Sequence, residues 1–396
     1  MPLPRIGFIG CGPFSTGSIY PCLQAFAYGL AGDAAIERVA RGHPEATPAS
    51  VGNVDNLGYA AELVACCDQK EELARRNARA FGFERYYTDY HKMLDQEDLD
   101  SVFVVMHPKN QPRIAMDVLR SGRNVYVEKP PATTLAEVRE IKATADNAGK
   151  WCQVGFMKRF SEPFVRAKAI SAQPGFGRLS VYESRKARYG SYYPEPIYHF
   201  LNGFVCHHLD LARFFMGEVD SVYADMVSRT APDPTGANAA LARRDDLFSN
   251  YYSILGELPG VRQADGYLIL FRFASGAIGV HNANCLEENA NVLERVTLTG
   301  ESAVAVVEDW WTVKGYIHGR EPSVWEPLHV DAGGPLGMLN WLGYLGEVRE
   351  FIAATAERRP PTVTIDDGVK CLEIETAVRR SIADGRRVTI AEIRSA

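Results

Sequence analysis

The first third of the chain alternates short apolar runs with helical segments, and this alternation restricts the possible folds more than any other feature. The apolar runs are RIGFI, ELVACCD, LDSVFVVM, NVYVEKP and KWCQVGF, and a segment of helical composition follows each of the first four. Repeated strand–helix units with short connections build a parallel, doubly wound sheet with right-handed crossovers. We therefore expect an α/β domain over residues 1–150, with an insertion at 29–58.

Beyond residue 150 the pattern changes to strands separated by glycine-containing turns, which predicts a large, mostly antiparallel open sheet. A helix is expected at 207–217, and the polar stretch 228–263 is interpreted as an insertion or lid. Two amphipathic helices near the C-terminus are expected to pack back on the first domain. The second domain is thus predicted to be an α/β domain over residues 151–396.

Composition and charge exclude several classes of partner. The 396 residues include 43 Lys and Arg against 49 Asp and Glu, and a net charge of −6 lacks the positive field that nucleic acids or anionic membranes attract. No apolar run approaches the roughly 18 residues of a membrane span. The N-terminal residues do not follow a signal-peptide pattern, the eight cysteines form no CxxC pair, and no side chains have metal-ligand spacing. We expect a cytoplasmic protein without a metal.

A glycine-rich turn follows the first predicted strand. It contains Gly10 and Gly12, followed by Pro13, Phe14 and Ser15 at the start of the first predicted helix. The first glycine permits the tight turn and the second lets a pyrophosphate approach the backbone at the helix N-terminus. Ser15 stands where the dinucleotide-binding fingerprint has its third glycine. The position between strand and helix favours a dinucleotide site over an ordinary turn.

An acidic residue, Asp68, ends the second predicted strand, where a carboxylate binds the hydroxyl groups of an adenosine ribose. It follows Gly10 by 68 − 10 = 58 positions rather than the usual ~20, because of the insertion at 29–58. The alternative is that Asp68 only caps the next helix. Its negative charge favours NAD over NADP, whose 2′-phosphate it repels, although Lys70 would soften that repulsion.

Four motifs together resemble the Gfo/Idh/MocA oxidoreductases, the family of glucose-fructose oxidoreductase and inositol dehydrogenase. They are Glu128-Lys129-Pro130, GFMKRF at 155–160, HHLD at 207–210 and SIADGRRVTI at 381–390. The resemblance covers nearly the whole chain. It implies a Rossmann domain joined to a substrate-binding α/β domain whose open sheet often forms an oligomer interface. It also implies NAD(P) as cofactor and a carbohydrate or polyol as substrate.

Lys129 lies at the predicted carboxyl edge of the parallel sheet, where doubly wound folds bind their ligands. Its ammonium group can bind a substrate hydroxyl and stabilise charge on oxygen as hydride leaves the carbon. An ordinary surface lysine is the alternative. The resemblance favours the catalytic interpretation for Lys129, and it places Glu128 beside the cofactor.

His207 and Asp210 have the i, i+3 spacing that puts two side chains on one face of a helix. An imidazole there can take the proton of a substrate hydroxyl, although a lone helical histidine is more often structural. By resemblance, His207 is the family's catalytic histidine. Asp210 and His208 are then expected in the same polar, substrate-binding pocket.

Two further segments are expected near the ligands. By resemblance, Met157, Lys158 and Arg159 lie close to the nicotinamide and the sugar hydroxyls. The alternative for this segment is a basic strand end paired with surface acids. His107 and Pro108 follow the strand VFVVM and are expected to line the cofactor.

One position departs from the family pattern. Dehydrogenases of the inositol type carry an Asp one helical turn before the histidine, and this chain has Gly203 there. Either His207 is the base alone, or His199, Asn202 or His208 supplies the missing polar group, or the reaction is not ordinary alcohol oxidation.

Three functions follow from these observations. The first is an NAD-dependent sugar or polyol dehydrogenase. The second is a redox-neutral enzyme that keeps NAD tightly bound while it cleaves or epimerises a glycoside, and Gly203 is its main support. The third is a non-catalytic regulator that binds NAD and sugar, against which Lys129 and His207 argue. We also expect a homo-oligomer, a dimer or tetramer, formed through the C-terminal sheet.

Overall fold

The computed structural model describes residues 3–28, 60–187, 201–227, 266–284, 294–309, 311–326 and 334–396. The predicted insertion at 29–58 and the predicted lid at 228–263 lie outside these residues. The chain divides into two compact units. The first unit comprises Met1–Ser161 and Leu328–Val369, and the second comprises Glu162–Pro327 and Lys370–Ala396.

The first unit contains a parallel sheet. Its strands are β1 (Arg5–Ile9), β2 (Glu62–Cys67), β3 (Arg85–Tyr87), β4 (Ser101–Val104), β5 (Asn124–Glu128) and β6 (Cys152–Gly155). Within the described residues their order is β3-β2-β1-β4-β5-β6, and every neighbouring pair is parallel. This is the strand order of the Rossmann fold, so the predicted doubly wound sheet is confirmed. The sequence pattern did not indicate β3, because its three residues are mostly exposed and make no apolar run.

The helices have locally encoded ends. They are α1 (Tyr20–Tyr28), α2 (Glu71–Phe81), α3 (Tyr90–Gln96), α4 (Gln111–Arg120), α5 (Leu135–Ala148), α6 (Glu162–Ser171), α7 (Cys206–Met216), α8 (Gly334–Leu342), α9 (Tyr344–Glu357), α10 (Ile365–Asp384) and α11 (Ile390–Arg394). α2 ends at Gly82, whose left-handed φ of 81° is typical of a glycine that terminates a helix. Thr134 and Glu137 form a capping box at the start of α5.

Aromatic side chains join the sheet of the first unit to α9. Phe103 of β4 lies 5.7 Å from Phe8, 4.9 Å from Tyr126 and 5.0 Å from Phe351 of α9, measured between ring centroids. All four side chains are fully buried. The hydroxyls of Ser101 and Thr355 add a buried hydrogen bond of 2.8 Å beside this core. Because of these contacts, a helix encoded near the C-terminus is part of the first unit.

The second unit is built on an open sheet. Its strands are β7 (Val181–Ala187), β8 (Val219–Val227), β9 (Gly266–Phe273), β10 (Ile278–Asn284), β11 (Glu294–Thr299), β12 (Ala303–Glu308), β13 (Thr312–Ile317), β14 (Ser323–Trp325) and β15 (Val388–Thr389). In the described part of the chain their order is β14-β13-β12-β11-β7-β10-β9-β8-β15. Only the β7–β10 pair among these neighbours is parallel, so the predicted mostly antiparallel sheet is confirmed.

The two faces of this sheet differ. α6 packs on β12 and β13, and α7 packs on β7. On β9, buried residues alternate with exposed Leu268 and Leu270, which is the pattern of a strand with one covered face. Tyr223 of β8 pairs with Leu270 in register and is exposed as well. The uncovered face is therefore partly apolar.

Across the described ranges, no helix combines the length and the apolar character that crossing a bilayer requires.

Candidate cofactor and substrate site

The glycine-rich turn connects β1 to a π-helical turn at Ser15–Ile19, which continues into α1. Gly10 has a φ of 103°, and a Cβ there would lie 2.1 Å from the carbonyl oxygen of Val105. Only glycine fits this position. By contrast, no described atom lies within 4 Å of where a Cβ of Gly12 would be, so space is open beside the turn. Ser15 is buried and donates a hydrogen bond of 2.7 Å to the Gly10 carbonyl, which ties the turn to the helix.

Pro13 and Phe14 complete this turn on its outer side. Pro13 is exposed, and Phe14 is half-buried against Tyr344 of α9, with ring centroids 5.9 Å apart. The turn is thus held from both directions, by Ser15 and by Phe14. A backbone fixed in this way presents its N–H groups without reorganisation.

Asp68 follows β2 and is half-buried. One carboxylate oxygen accepts a hydrogen bond of 2.9 Å from the N–H of Cys11, and the other accepts one of 2.9 Å from the N–H of Lys70. The residue at the N-cap of α2 is Lys70, so Asp68 does not cap that helix. Its carboxylate is instead fixed beside the glycine-rich turn.

His107 and Pro108 follow β4, which pairs with β1. Nδ1 of His107 accepts a hydrogen bond of 3.2 Å from the N–H of Lys109, and burial lowers the pKa of the imidazole. Pro108 is buried. Val105, just after β4, lies against Gly10 at the end of β1. His107 follows two residues later, so it belongs to the segment beside the glycine-rich turn.

Lys129 follows β5 and is half-buried. Its backbone is fixed on both sides. The Lys129 N–H donates a hydrogen bond of 3.1 Å to a Glu128 carboxylate oxygen, and the side-chain amide of Gln111 donates bonds of 2.5 and 3.0 Å to the carbonyls of Glu128 and Pro130. Burial raises the pKa of Glu128 to about 7, and the nearby charge of Lys129 opposes this rise.

Met157, Lys158 and Arg159 form a 3₁₀ turn after β6. Met157 and Lys158 are buried, and the guanidinium of Arg159 makes an ion pair of 3.0 Å with Asp367, itself largely buried. Arg159 therefore carries a structural ion pair. A Cβ on Gly343, whose φ is 98°, would lie 2.0 Å from the Met157 carbonyl, so glycine also holds this turn in place.

The second unit holds the remaining predicted residues on α7. His207, His208 and Asp210 are all buried. The expected helix is present, so His207 and Asp210 have the predicted i, i+3 relation. The Asp210 carboxylate lies 3.8 Å from the guanidinium of Arg213.

His208 takes part in a buried polar cluster of its own. Its ring stacks on His281 of β10 with centroids 4.4 Å apart, and its Nε2 lies 3.2 Å from a Glu294 carboxylate oxygen. Lys186 of β7 reaches the other oxygen of Glu294 at 2.8 Å. Burial lowers the pKa of His281 well below its usual value, so this imidazole is neutral. His208 thus ties α7 to the sheet of the second unit.

Gly203 lies in a π-helical turn, Leu201–Val205, directly before α7. No described atom would come within 4 Å of a Cβ there. Packing by the described residues therefore does not require glycine. Of the proposed substitutes for the family's Asp, His199 and the side chain of Asn202 lie outside the described residues.

Three residues that support this arrangement were not singled out in the sequence. Gln111 fixes the backbone around Lys129, and Tyr126 donates to Glu128 at 2.8 Å. Glu347 of α9 lies 2.9 Å from the same tyrosine hydroxyl. The alternation along β5 signals that Tyr126 and Glu128 share a face, but no local pattern signals a partner on α9.

Two family models match the chain. One, described as the oxidoreductase family with an NAD-binding Rossmann fold, matches residues 5–156. The other, the GFO/IDH/MocA C-terminal domain, matches residues 164–306. Together they cover most of the chain.

Individual relatives are similar over most of their length. The chain is 24% identical to a myo-inositol 2-dehydrogenase of Thermotoga maritima over 350 residues, 84% of this chain and 92% of the relative. It is 23% identical to a levoglucosan dehydrogenase of Pseudarthrobacter phenanthrenivorans over 347 residues, 81% and 88% of the two chains.

Solved structures have the same fold. One is a levoglucosan dehydrogenase in complex with NADH, with a TM-score of 0.73 and 18% identity over 98% of this chain and 99% of that one. Another is an oxidoreductase from Agrobacterium radiobacter in complex with NAD⁺, L-tartaric acid and magnesium, with a TM-score of 0.74 and 15% identity over 99% and 100%. With both family models matched, the chain belongs to the GFO/IDH/MocA family of oxidoreductases, and its N-terminal domain is an NAD-binding Rossmann domain.

Proposed function

We propose that this oxidoreductase is a dehydrogenase that transfers hydride between NAD and a hydroxyl or keto carbon of a sugar, sugar derivative or polyol. One observation carries the proposal: Lys129 is half-buried at the carboxyl edge of the Rossmann sheet, with the backbone on both sides fixed by Glu128 and Gln111. The names of the relatives, which include inositol, apiose and levoglucosan dehydrogenases, support the substrate class.

The residues of the first unit fit NAD. The left-handed Gly10 and the open space beside Gly12 suit a pyrophosphate close to the backbone. Asp68, whose carboxylate is already oriented, would bind the adenosine ribose. His107 and Pro108 would line the cofactor. NAD, when bound, accepts the hydride from the carbon that is oxidised.

The chain's own residues would handle the substrate oxygen and its proton. Lys129 would donate a hydrogen bond to the reacting hydroxyl and stabilise the negative charge that develops on oxygen. His207 would take the hydroxyl proton, because the unprotonated nitrogen of an imidazole can accept a proton and release it again. Asp210, Met157 and Lys158 would contact the substrate.

A second candidate function is favoured by Gly203. The position before His207 accepts a side chain without a clash among the described residues, yet it lacks the carboxylate of the inositol-type enzymes. A relative that keeps NAD bound, oxidises a glycoside, eliminates a group and returns the hydride would place different demands on the base. Its net reaction would be bond cleavage or epimerisation.

A single assay separates the two functions. Dialysed enzyme is incubated with added NAD and a panel of polyols, pyranoses and glycosides in D₂O, and the absorbance of reduced nicotinamide is followed. We expect NADH to accumulate in proportion to ketone product. Glycoside loss without NADH, with solvent deuterium at the carbon next to the transient ketone, would instead establish the redox-neutral reaction.

Lys129→Met tests the catalytic lysine. It removes the ammonium and keeps much of the side-chain volume, so turnover should fall by about 10²-fold or more while the Kd for NAD changes little. Lys92→Met, at an exposed lysine of α3, is the matched control and should leave turnover unchanged. Near-native turnover of Lys129→Met would remove this residue from the mechanism.

Asp68 predicts the choice of cofactor. By calorimetry on the apo protein, NAD should bind at least about tenfold more tightly than NADP, equivalent to about 1.4 kcal/mol, because the carboxylate repels a 2′-phosphate. Asp68→Asn removes the charge and keeps an oxygen for the Cys11 N–H. This variant and Asp68→Ala should both reduce the ratio of the Kd for NADP to the Kd for NAD. An enzyme that prefers NADP, or variants that preserve the ratio, would contradict the assignment.

We further propose that the uncovered face of the second unit's sheet binds a second copy of the chain. Tyr223, Leu268, Leu270 and Ile278 expose apolar side chains on neighbouring strands of this face. Contiguous apolar surface of this kind commonly marks a protein interface.

Leu268→Asp tests this interface by placing a charge within it. Light scattering should show a homo-oligomer for the native protein and a smaller species for the variant, because an unpaired charge is costly to bury. Val165→Asp, at an exposed apolar residue of α6, should keep the native mass. A native monomer would contradict the proposal.

A further inference from the structure

Two buried carboxyl groups of the first unit share one tyrosine hydroxyl. The Tyr126 hydroxyl oxygen lies 2.8 Å from Oε1 of Glu128 and 2.9 Å from Oε1 of Glu347. Tyr126 and Glu347 are fully buried, and Glu128 is 5% exposed. We call Tyr126, Glu128 and Glu347 the tyrosine–carboxyl cluster. Its member Glu128 directly precedes Lys129 in the chain.

The geometry of the cluster sets a minimum for its number of protons. A phenol has one proton and can donate one hydrogen bond, whereas an ionised carboxylate can only accept. Two carboxyl oxygens at hydrogen-bond distance therefore need a second proton, which must reside on one of the carboxyls and be donated to the tyrosine oxygen. The cluster thus holds at least one protonated carboxyl group.

The surroundings assign the proton to Glu347. Glu128 receives the N–H of Lys129 on Oε2 at 3.1 Å and is the carboxyl adjoining the Lys129 charge, and both favour its ionised form. Oε2 of Glu347 is buried and has no hydrogen-bond partner among the described residues. A neutral acid tolerates this far better than a carboxylate.

The remaining charges around Glu347 agree with this assignment. The groups that face it are Glu128, Tyr126 and Lys129, together with the thiol of Cys22 on α1. Burial and the charge of Glu128 raise the pKa of Glu347 well above its usual value, and only Tyr126 and the more distant charge of Lys129 oppose them. These effects favour the neutral form of Glu347.

We propose that Glu347 and Tyr126 are positioning residues: each donates its own proton along the cluster, and together they favour the ionised form of Glu128 beside Lys129. The protonated Glu347 donates to Tyr126, and Tyr126 donates to Glu128, so each bond polarises the next. A fixed negative charge then accompanies the Lys129 ammonium group. This role rests on the proposed function of Lys129, but the protonation of Glu347 does not.

The first experiment needs no substrate. Infrared difference spectra of the full-length protein at pH 7, in H₂O and D₂O, report the carbonyl stretch of protonated carboxylic acids. A band present in the native protein should be lost in Glu347→Gln, a neutral substitution of the same shape, and retained in Glu128→Gln. In Tyr126→Phe the same band should shift to higher frequency because its hydrogen bond is lost. A band that persists in Glu347→Gln would overturn the proposal.

The second experiment measures the effect on the reaction. Loss of the tyrosine's hydrogen bond in Tyr126→Phe should raise the pH of the acid limb of kcat by roughly 1–2 units, the size expected for one bond to an ionised carboxylate. The sign follows because Glu128 without its donor protonates at higher pH. Tyr90→Phe removes a Tyr90–Asp117 bond of the same 2.8 Å length elsewhere in the unit and should leave the limb in place.

A wrong role for Lys129 and a wrong role for the tyrosine–carboxyl cluster give different results. If Lys129→Met keeps native turnover, the proposed catalytic role of Lys129 is wrong whatever the infrared spectra show. If Lys129 is required but the acid limb is identical in native protein and Tyr126→Phe, the positioning role of the cluster is overturned while the proposed function stands.

Discussion

The backbone ladder of the parallel sheet is the interaction on which the first unit depends. β1 pairs with β2 on one side and β4 on the other, and β4 pairs with β5, all in the same direction. Their carboxyl ends therefore meet at one edge of the sheet. That edge receives the glycine-rich turn, Asp68, His107 and Lys129 from segments separated along the chain. The hydrogen bond from the Cys11 N–H to Asp68 then joins two of these strand ends directly.

Next to this edge, two buried glutamates, Glu128 and Glu347, lie beside the apolar core. A glutamate in an apolar interior is costly unless it is neutral or fully hydrogen-bonded. Glu128 meets this condition through Tyr126 and the Lys129 N–H, and Glu347 meets it by carrying a proton. The aromatic contacts of Phe103 with Tyr126 and Phe351 hold β5 and α9 close enough for the cluster to form.

Features with a local cause could be predicted from the sequence. The parallel sheet follows from the alternation of apolar runs and helices, and Gly10 and Asp68 are indicated by turn and strand-end chemistry. The sequence did not indicate β3 and β14, because their three residues are mostly exposed. It did not indicate β13 either, because a mixed polar run shows no clear alternation of apolar and polar residues. Long-range partners are invisible for a different reason. Glu347 lies 221 positions from Tyr126, and Asp367 lies 208 positions from Arg159, so only the tertiary fold pairs them.

The contrast between three glycines shows which departures from a family pattern bear on chemistry. Gly10 and Gly343 are imposed by the fold, because a Cβ at either would lie about 2 Å from a backbone oxygen. At Gly203 no described atom would meet a Cβ, so the packing of the described residues leaves room for a side chain there. The presence of Gly203 instead of the Asp of inositol-type enzymes therefore changes the polar groups that precede His207. It does not meet a packing requirement of the described residues. In the second unit, His208 is already engaged with His281 and Glu294, which leaves it less suited than a free side chain to substitute for that carboxylate.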